Sequence, residues 1–248
     1  MQDINSSNIQ KLESMISQAR KIAVVTHQKP DGDAMGSCTA LYHFLSLCGK
    51  DSIRIILNDR YPAYLDFIVS DIPDTDLLVF SERPLETGII LRDSDLIFCL
   101  DFNAFSRTDK LEPFLAGSKA EKVLIDHHLN PDRAAFDLSF SETDISSASE
   151  LLYNVLMSTS IIAQNAENLP LKACTALMTG MTTDTNNFSN STFPSTLLMA
   201  SDLLAAGVDR DEIISRIYNQ YGENRLRLLG HILKDLLVIT DDGVAYIV

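Results

Sequence analysis

The 248-residue sequence predicts an α/β fold: a parallel β-sheet with helices on both faces, followed by further helices and a C-terminal β-hairpin. Three observations support this prediction. In the first half of the chain, short apolar segments without polar alternation, typical of strands buried on both faces, alternate with helical segments. After residue 145 the pattern becomes helical. The chain then ends in two β-rich runs around an Asp-Gly turn, the signature of a hairpin.

The first helix is predicted over residues 5–20, because apolar residues recur there at helical spacing. Another helix is expected from Gly36 to Cys48, ended by Gly49. The apolar segments between and after these helices are the predicted strands, and they cover residues 21–27, 52–57, 93–101 and 121–126. Right-handed crossovers are expected to join such strands into a parallel sheet.

The second half of the chain is predicted to be mostly helical. Pro194 occupies the favoured first-turn position of one helix, and Gly207 ends it. The expected helices cover residues 149–162, 171–182, 194–206, 209–219 and 222–236. Because an isolated two-stranded hairpin is only marginally stable in water, we expect the terminal hairpin to continue into a larger sheet. The alternative is that it docks on the first domain or on a partner chain.

Composition limits the classes of function. The chain has 20 Lys and Arg against 34 Asp and Glu, a net charge of −14, which argues against binding of long nucleic-acid duplexes. It has no apolar run long enough to predict a membrane span. The four cysteines lie in apolar segments without regular spacing, so we expect reduced thiols and a cytoplasmic protein.

Acidic and imidazole side chains follow several of the predicted strands. In chain order they are His27, Asp31, Asp33, Asp101, Asp126, His127 and His128, and Asp184 follows a later helix. Ligands of open α/β sheets bind beyond the carboxyl ends of the strands, so these side chains are expected to converge. Converged carboxylates repel one another by roughly a few kcal/mol per pair unless cations lie between them. The sequence therefore predicts a pair of divalent metal ions. Carboxylates with some imidazoles favour Mn²⁺, with Mg²⁺, Fe²⁺ or Zn²⁺ as substitutes.

Four segments make a family resemblance specific. They occur in the order HQKPDGDAMGS, LDFNAFSR, LIDHHLNP and TTDTNNF, and span residues 27–188. With them the chain resembles the DHH phosphoesterase superfamily, in particular the branch with a second domain of the DHHA1 type. One position departs from the family pattern, since Asn186 stands where a glycine usually follows Thr-Asp-Thr. Asparagine tolerates left-handed backbone, so the turn can survive.

The resemblance implies roles for particular residues. His27 and Asp31 would hold one metal ion, Asp101 would bridge two, and the ligands of the other ion would be Asp33, His127 and Asp184. Asp126 would orient a ligand imidazole. His128 would donate a proton to the phosphate or to the leaving group. Arg107 would bind a substrate phosphate, and the helix start at Gly36 and Ser37 would favour an anion.

The resemblance also implies a function and a domain division. We expect a metal-dependent hydrolase that cleaves phosphodiester or phosphomonoester bonds of short oligonucleotides or nucleotides through a water bridging the metal ions. A homodimer is compatible with this expectation. The alternatives are a family II-type inorganic pyrophosphatase and a non-catalytic phosphate-binding relative. The expected catalytic domain covers residues 1–220, a connecting helix residues 221–236, and the start of a truncated DHHA1-like domain residues 237–248.

Overall fold

The computed structural model describes residues 3–220 and 222–248. Met1, Gln2 and Tyr221 lie outside the described residues, and Tyr221 stands at the predicted start of the connecting helix. The division into domains therefore stays a prediction, and only the secondary structure on either side of that point is described below.

A six-stranded, fully parallel sheet organises the fold. Its strands are β1 (Ile22–Thr26), β2 (Ile53–Leu57), β3 (Leu77–Val79), β4 (Leu96–Leu100), β5 (Glu121–Asp126) and β6 (Leu138–Ser141). Their spatial order is β3-β2-β1-β4-β5-β6, and every neighbouring pair is parallel. The predicted fold class is confirmed. The four predicted strands correspond to β1, β2, β4 and β5, whereas the two edge strands were not predicted.

The α-helices of the described residues, in chain order, are α1 (Ser6–Gln18), α2 (Gly32–Leu47), α3 (Asp66–Val69), α4 (Pro84–Asp93), α5 (Glu112–Gly117), α6 (Ala148–Met157), α7 (Leu171–Asp184), α8 (Pro194–Ala205), α9 (Arg210–Tyr218) and α10 (Glu223–His231). The predicted helices over 171–182, 194–206 and 209–219 are confirmed to within two residues at each end. The helix expected over 149–162 already ends at Met157. A π-helical turn, Ile232–Leu236, follows α10. Together they end at residue 236, where the helix predicted over 222–236 also ends.

Helices cover both faces of the sheet because successive strand residues point to opposite sides. Val24 of β1 lies in a large apolar core shared with α1, α2, α6 and α7. Its neighbours Ala23 and Val25 lie in a smaller core that includes Leu91 of α4 and Leu115 of α5. Three of the four cysteines are buried and all four are free thiols, as the sequence indicated.

The closest helix packing in the core joins α2 to α7 through glycines. A Cβ on Gly36 would lie 2.6 Å from the carbonyl oxygen of Ala176 and 2.9 Å from the backbone of Gly180. A Cβ on Gly32 would lie 2.2 Å from the Thr183 hydroxyl oxygen. Only residues without a side chain allow the two backbones to approach so closely. The contact holds the beginning of α2 beside the end of α7.

The C-terminal segment has a different character. Strands β7 (Leu237–Ile239) and β8 (Ala245–Ile247) form the predicted antiparallel hairpin. No residue between 222 and 248 is buried, and several leucines of α10 are about half exposed, such as Leu226 at 53% and Leu228 at 58%. Among residues 3–220 and 222–248, no helix has the length and apolar character needed to cross a membrane.

Candidate metal centre

The predicted ligands converge at the carboxyl ends of three adjacent strands. His27 follows β1, Asp101 follows β4 and His127 follows β5, while the beginning of α2 and the end of α7 supply the rest. Three groups of side chains have ligand atoms within 4.8 Å of one another, and they are His27–Asp31–Asp101, Asp33–His127–Asp184 and Asp101–His127–His128. The parallel sheet thus brings together all six residues named from the sequence as metal ligands.

The His27 ring is held so that one nitrogen faces carboxylates. Its Nδ1 lies 2.7 Å from the carbonyl oxygen of Gln28, which can only accept a hydrogen bond, so Nδ1 carries the proton. Nε2 then lies 3.4 Å from Asp101 Oδ2 and 3.9 Å from Asp31 Oδ1. In the neutral ring Nε2 carries a lone pair that is directed at the carboxylate oxygens. Such an arrangement requires a proton or a metal ion between Nε2 and these oxygens.

Asp101 lies between the two imidazoles of the cluster. Its carboxylate is buried, with Oδ2 3.4 Å from His27 Nε2 and Oδ1 3.4 Å from His127 Nε2. Oδ1 has no hydrogen-bond partner among the described residues. The backbone has a positive φ of 62°, uncommon for a residue other than glycine and often associated with functional sites. A buried, unpartnered carboxylate oxygen fits a bound cation, since such groups are otherwise costly.

His127 faces three carboxylates at once. Its Nε2 lies 3.4 Å from Asp101 Oδ1, 3.7 Å from Asp184 Oδ2 and 3.9 Å from Asp33 Oδ2. Burial by itself would lower the pKa of His127, but these acids outweigh it and raise the pKa to about 9. Burial, together with Asp101, raises the pKa of Asp184 to about 6 against the opposing charge of His127. The acids and imidazoles thus share protons at the position where a bound cation would replace those protons.

The carboxylates of Asp31 and Asp33 are both held by helix N-termini. Asp31 caps α2, because its Oδ1 accepts the backbone N–H groups of Asp33 and Ala34. The buried Asp33 carboxylate instead accepts the N–H groups of Ala148 and Ser149, in the first turn of α6. Sequence reasoning missed Ala148 and Ser149, because a backbone donor leaves no mark on residue type.

Asp126 orients His128 and not His127, the imidazole assigned to a metal ion. The fully buried Asp126 accepts a 2.7 Å hydrogen bond from His128 Nδ1 and a 3.2 Å bond from the His128 backbone N–H. The expectation that this acid orients a metal-ligating imidazole is therefore not supported, because both of its hydrogen bonds go to His128, which was assigned a role towards the phosphate. His128 has a side chain 37% exposed, and the bond to Nδ1 leaves its Nε2 free to act towards a substrate.

The predicted phosphate contacts lie in different places. Arg107 is exposed, and its carbonyl oxygen accepts the N–H of Gln28 at 2.9 Å, which fixes it next to His27. Gly36 and Ser37 do not lie at a helix start, because α2 begins four residues earlier at Gly32. Ser37 is buried and its hydroxyl donates to the carbonyl oxygens of Asp33 and Ala34. These two residues therefore belong to the packed core, and an anion bound at the N-terminus of α2 would contact other residues.

The turn after Asp184 keeps the left-handed backbone expected at Asn186. Asn186, Asn187 and Phe188 have φ values of 46°, 57° and 65°. Arg210 of α9 donates to the Asn187 side chain and lies over the Phe188 ring, 5.5 Å from its centroid. The departure from glycine is thus accommodated. Of the remaining histidines, His43 and His231, neither belongs to the three groups above.

Comparison with known proteins places this geometry in context. In a solved structure, the exopolyphosphatase-related protein from Bacteroides fragilis superposes with a TM-score of 0.88 at 32% identity, covering 96% of this chain and 67% of that one. The bifunctional oligoribonuclease and PAP phosphatase NrnA of Thermus thermophilus is 27% identical over 86% of this chain and 58% of its own length. The cyclic-di-AMP phosphodiesterase GdpP of Bacillus subtilis is 25% identical over 80% and 30%.

This chain spans about three fifths or less of the length of the curated relatives it matches. The model of the DHH family, N-terminal domain, matches residues 21–181, which is well over half of the chain. The matched range includes β1 to β6, the Asp126-His127-His128 triplet and all but the last of the predicted metal ligands. The chain therefore belongs to the DHH family.

Proposed function

We propose that the protein is a metal-dependent phosphoesterase that hydrolyses phosphodiester or phosphomonoester bonds of short oligonucleotides or nucleotides in the cytoplasm. One observation carries the proposal: two groups of acids and imidazoles share Asp101, whose buried Oδ1 has no hydrogen-bond partner among the described residues. Family membership and the relatives named above support the same class of reaction. Two divalent ions, with Mn²⁺ favoured, suit these ligands.

The chain's own residues divide the work between holding cations and handling a phosphate. His27 and Asp31 would hold one ion, Asp33, His127 and Asp184 the other, and Asp101 both. When bound, such a pair neutralises phosphoryl oxygens and lowers the pKa of water. His128, fixed by Asp126, presents Nε2 as proton donor to the leaving oxygen. Arg107, next to His27, is the proposed contact for a substrate phosphate.

Two measurements test this proposal. Metal-free protein is titrated with Mn²⁺ to count bound ions. The loaded protein is then assayed with a 5′-phosphorylated dinucleotide, 3′-phosphoadenosine 5′-phosphate, a cyclic dinucleotide and pyrophosphate. We expect two ions and turnover of at least one nucleotide. Asp101→Ala and His127→Ala should lose metal and activity, whereas His231→Ala, an exposed histidine of α10, should keep both.

The outcomes separate the candidate functions. Absence of bound Mn²⁺ would contradict the whole proposal. Turnover of pyrophosphate far above that of every nucleotide would replace it with the pyrophosphatase alternative. Metal binding without hydrolysis of any of the four compounds would favour the non-catalytic phosphate-binding relative.

A further inference from the structure

The first turn of α6 makes an unusual contact with the candidate metal centre. The backbone N–H of Ala148 donates to Asp33 Oδ2 at 2.6 Å, and the N–H of Ser149 donates to Oδ1 at 2.8 Å. Asp33 is 1% exposed and more than a hundred residues away along the chain. Each oxygen of the Asp33 carboxylate, which belongs to α2, therefore has one fixed N–H donor from α6.

This contact is not the ordinary cap of α6. Ser147 is the N-cap, and its side-chain oxygen accepts the N–H of Glu150 at 3.0 Å. The first two N–H groups of a helix have no partner within the helix, and here both are directed at Asp33. The helix thus has its own cap, and the acid occupies donors that the cap does not satisfy.

The two bonds fix the direction of the remaining lone pairs. Bonds to both oxygens prevent the carboxylate from rotating, and Oδ2 lies 3.9 Å from Nε2 of His127. The partial positive charge of the helix N-terminus offsets part of the repulsion that the Asp33 carboxylate meets from Asp101 and Asp184. Without such donors, repulsion from these two acids would favour rotation of Asp33 away from the cluster.

Gly180 of α7 closes the same contact from the opposite side. A Cβ at Gly180 would lie 2.0 Å from Ser149 Oγ and 3.0 Å from Asp33 Oδ1. The glycine therefore lets α7, which ends in Asp184, lie directly against the pair formed by Asp33 and the first turn of α6. Three helices meet at one carboxylate.

We propose that the backbone N–H groups of Ala148 and Ser149 are positioning groups that fix the Asp33 carboxylate as a metal ligand together with His127 and Asp184. This inference rests on the proposed function, because it assumes that the cluster binds cations. Partners of metal ligands that lie outside the coordination sphere commonly change metal affinity by about 10- to 100-fold. We expect an effect of that size on one of the two ions.

The test removes one donor and keeps the helix. Ala148→Pro deletes the N–H that bonds to Asp33 Oδ2, at the helix position where proline is best tolerated. The preceding residue, Ser147, already has the extended backbone that proline requires, with φ −165° and ψ 162°. The matched control is Ser147→Ala, which weakens the cap of α6 and leaves both donors to Asp33 in place.

The experiment measures Mn²⁺ binding to metal-free protein, and electron paramagnetic resonance detects the Mn²⁺ that stays free. Ala148→Pro should weaken one of two binding steps at least tenfold and change the other less than threefold. Ser147→Ala should lower the melting temperature and bind both ions as the unmodified protein does. Equal binding by Ala148→Pro and unmodified protein would overturn the inference alone. Failure of unmodified protein to bind any ion would overturn the proposed function as well.

A second measurement needs no substitution and covers the case in which Ala148→Pro does not fold. In the ¹⁵N-labelled unmodified protein, saturation with diamagnetic Zn²⁺ should shift the amide proton resonances of Ala148 and Ser149. The amide of Glu150, bonded to Ser147 and not to Asp33, is the internal control and should move much less. Equal shifts of all three amides, or none, would contradict the proposal.

Discussion

At the scale of single residues, the chemistry of the candidate centre depends on which nitrogen of each imidazole faces the acids. Nδ1 of His27 is bonded to the Gln28 carbonyl, so Nε2 alone faces Asp101. Burial lowers the pKa of His27, but Asp101 outweighs it and raises the pKa to about 9. The nitrogen that would ligate a cation therefore carries a proton at neutral pH when no cation is bound. Protons and metal ions compete for one position.

This competition predicts how stability depends on pH. His27 and His127, each with a pKa of about 9, bind more protons in the folded state than in the unfolded state, where the ordinary value is 6.5. Their contribution to the metal-free protein is complete below pH 6.5 and is lost as the pH rises towards 9. We expect the melting temperature in EDTA to fall over that interval. Calorimetry across the pH range checks it, and saturating Mn²⁺ should reduce or reverse the slope.

The pair of Asp126 and His128 predicts a separation of binding from chemistry. Asp126→Asn keeps the size of the side chain and removes the charge that holds the Nδ1–H of His128. We expect kcat to fall about 100-fold or more, as for loss of general acid–base help, with KM and bound metal little changed. Metal content measured alongside kinetics decides the matter. Loss of metal in this variant would show that Asp126 belongs to the ligand set.

At the scale of elements, the interface between α2 and α7 sets the position of the acids. Gly36 faces backbone atoms of Ala176 and Gly180, and Gly32 faces the Thr183 side chain, so that Asp33 near the start of α2 lies close to the end of α7, where Asp184 stands. The same close approach explains why α2 contains glycines in its first turns in spite of their low helix propensity. Packing decides the local structure there.

Gly36→Ala is therefore predicted to damage stability and site together. Its Cβ would lie 2.6 Å from a carbonyl oxygen and 2.9 Å from backbone atoms of α7, which cannot move aside as a flexible side chain could. We expect a loss of about 1–3 kcal/mol in the free energy of unfolding and weaker Mn²⁺ binding. Urea unfolding measures the first. The control is Gly230→Ala on α10, where nothing lies within 4 Å and stability should rise or stay unchanged.

The glycines also show where sequence reasoning succeeds and where it stops. The central strands and the convergence of six ligand residues follow from apolar segments that end in polar residues. Gly36 and Ser37 were placed at a helix start because helical periodicity was followed only from Gly36, whereas α2 already begins at Gly32 and Gly36 packs against α7. Strands β3 and β6 have only three and four residues at the sheet edges, too few to show a pattern. The contact of Ala148 and Ser149 uses backbone atoms common to every residue.

At the scale of the whole molecule, the sheet and the C-terminal segment differ in burial. All residues of β1 and β4 are buried, while residues 222–248 contain none. We expect the amides of α10 and the hairpin to exchange with deuterium orders of magnitude faster than those of β1 and β4. Hydrogen exchange followed by mass spectrometry measures the contrast. Slow exchange in the hairpin of the isolated protein would indicate that a partner, such as a second copy, covers it.

The charge of the whole chain makes another prediction. A net charge of −14 repels the phosphates of a long duplex, so release of counterions cannot drive binding, whereas a short substrate meets only the local site. Fluorescence anisotropy with a labelled 20-base-pair duplex (about two helical turns) at physiological salt should show no binding at micromolar protein. Tight duplex binding would contradict the preference for short substrates.

The spacing of the candidate ligands along the chain has a consequence for integrity as well as for chemistry. They come from residues 27–184 and belong to two helices and the ends of three strands. Two cations bound by them would cross-link the ends of the paired strands β1, β4 and β5 to helices α2 and α7, in addition to the hydrogen bonds of the sheet and the packing of the helices. At a free concentration a hundred times its Kd, each such ion adds about 2.7 kcal/mol to folding. A chelator would then loosen the domain as a unit.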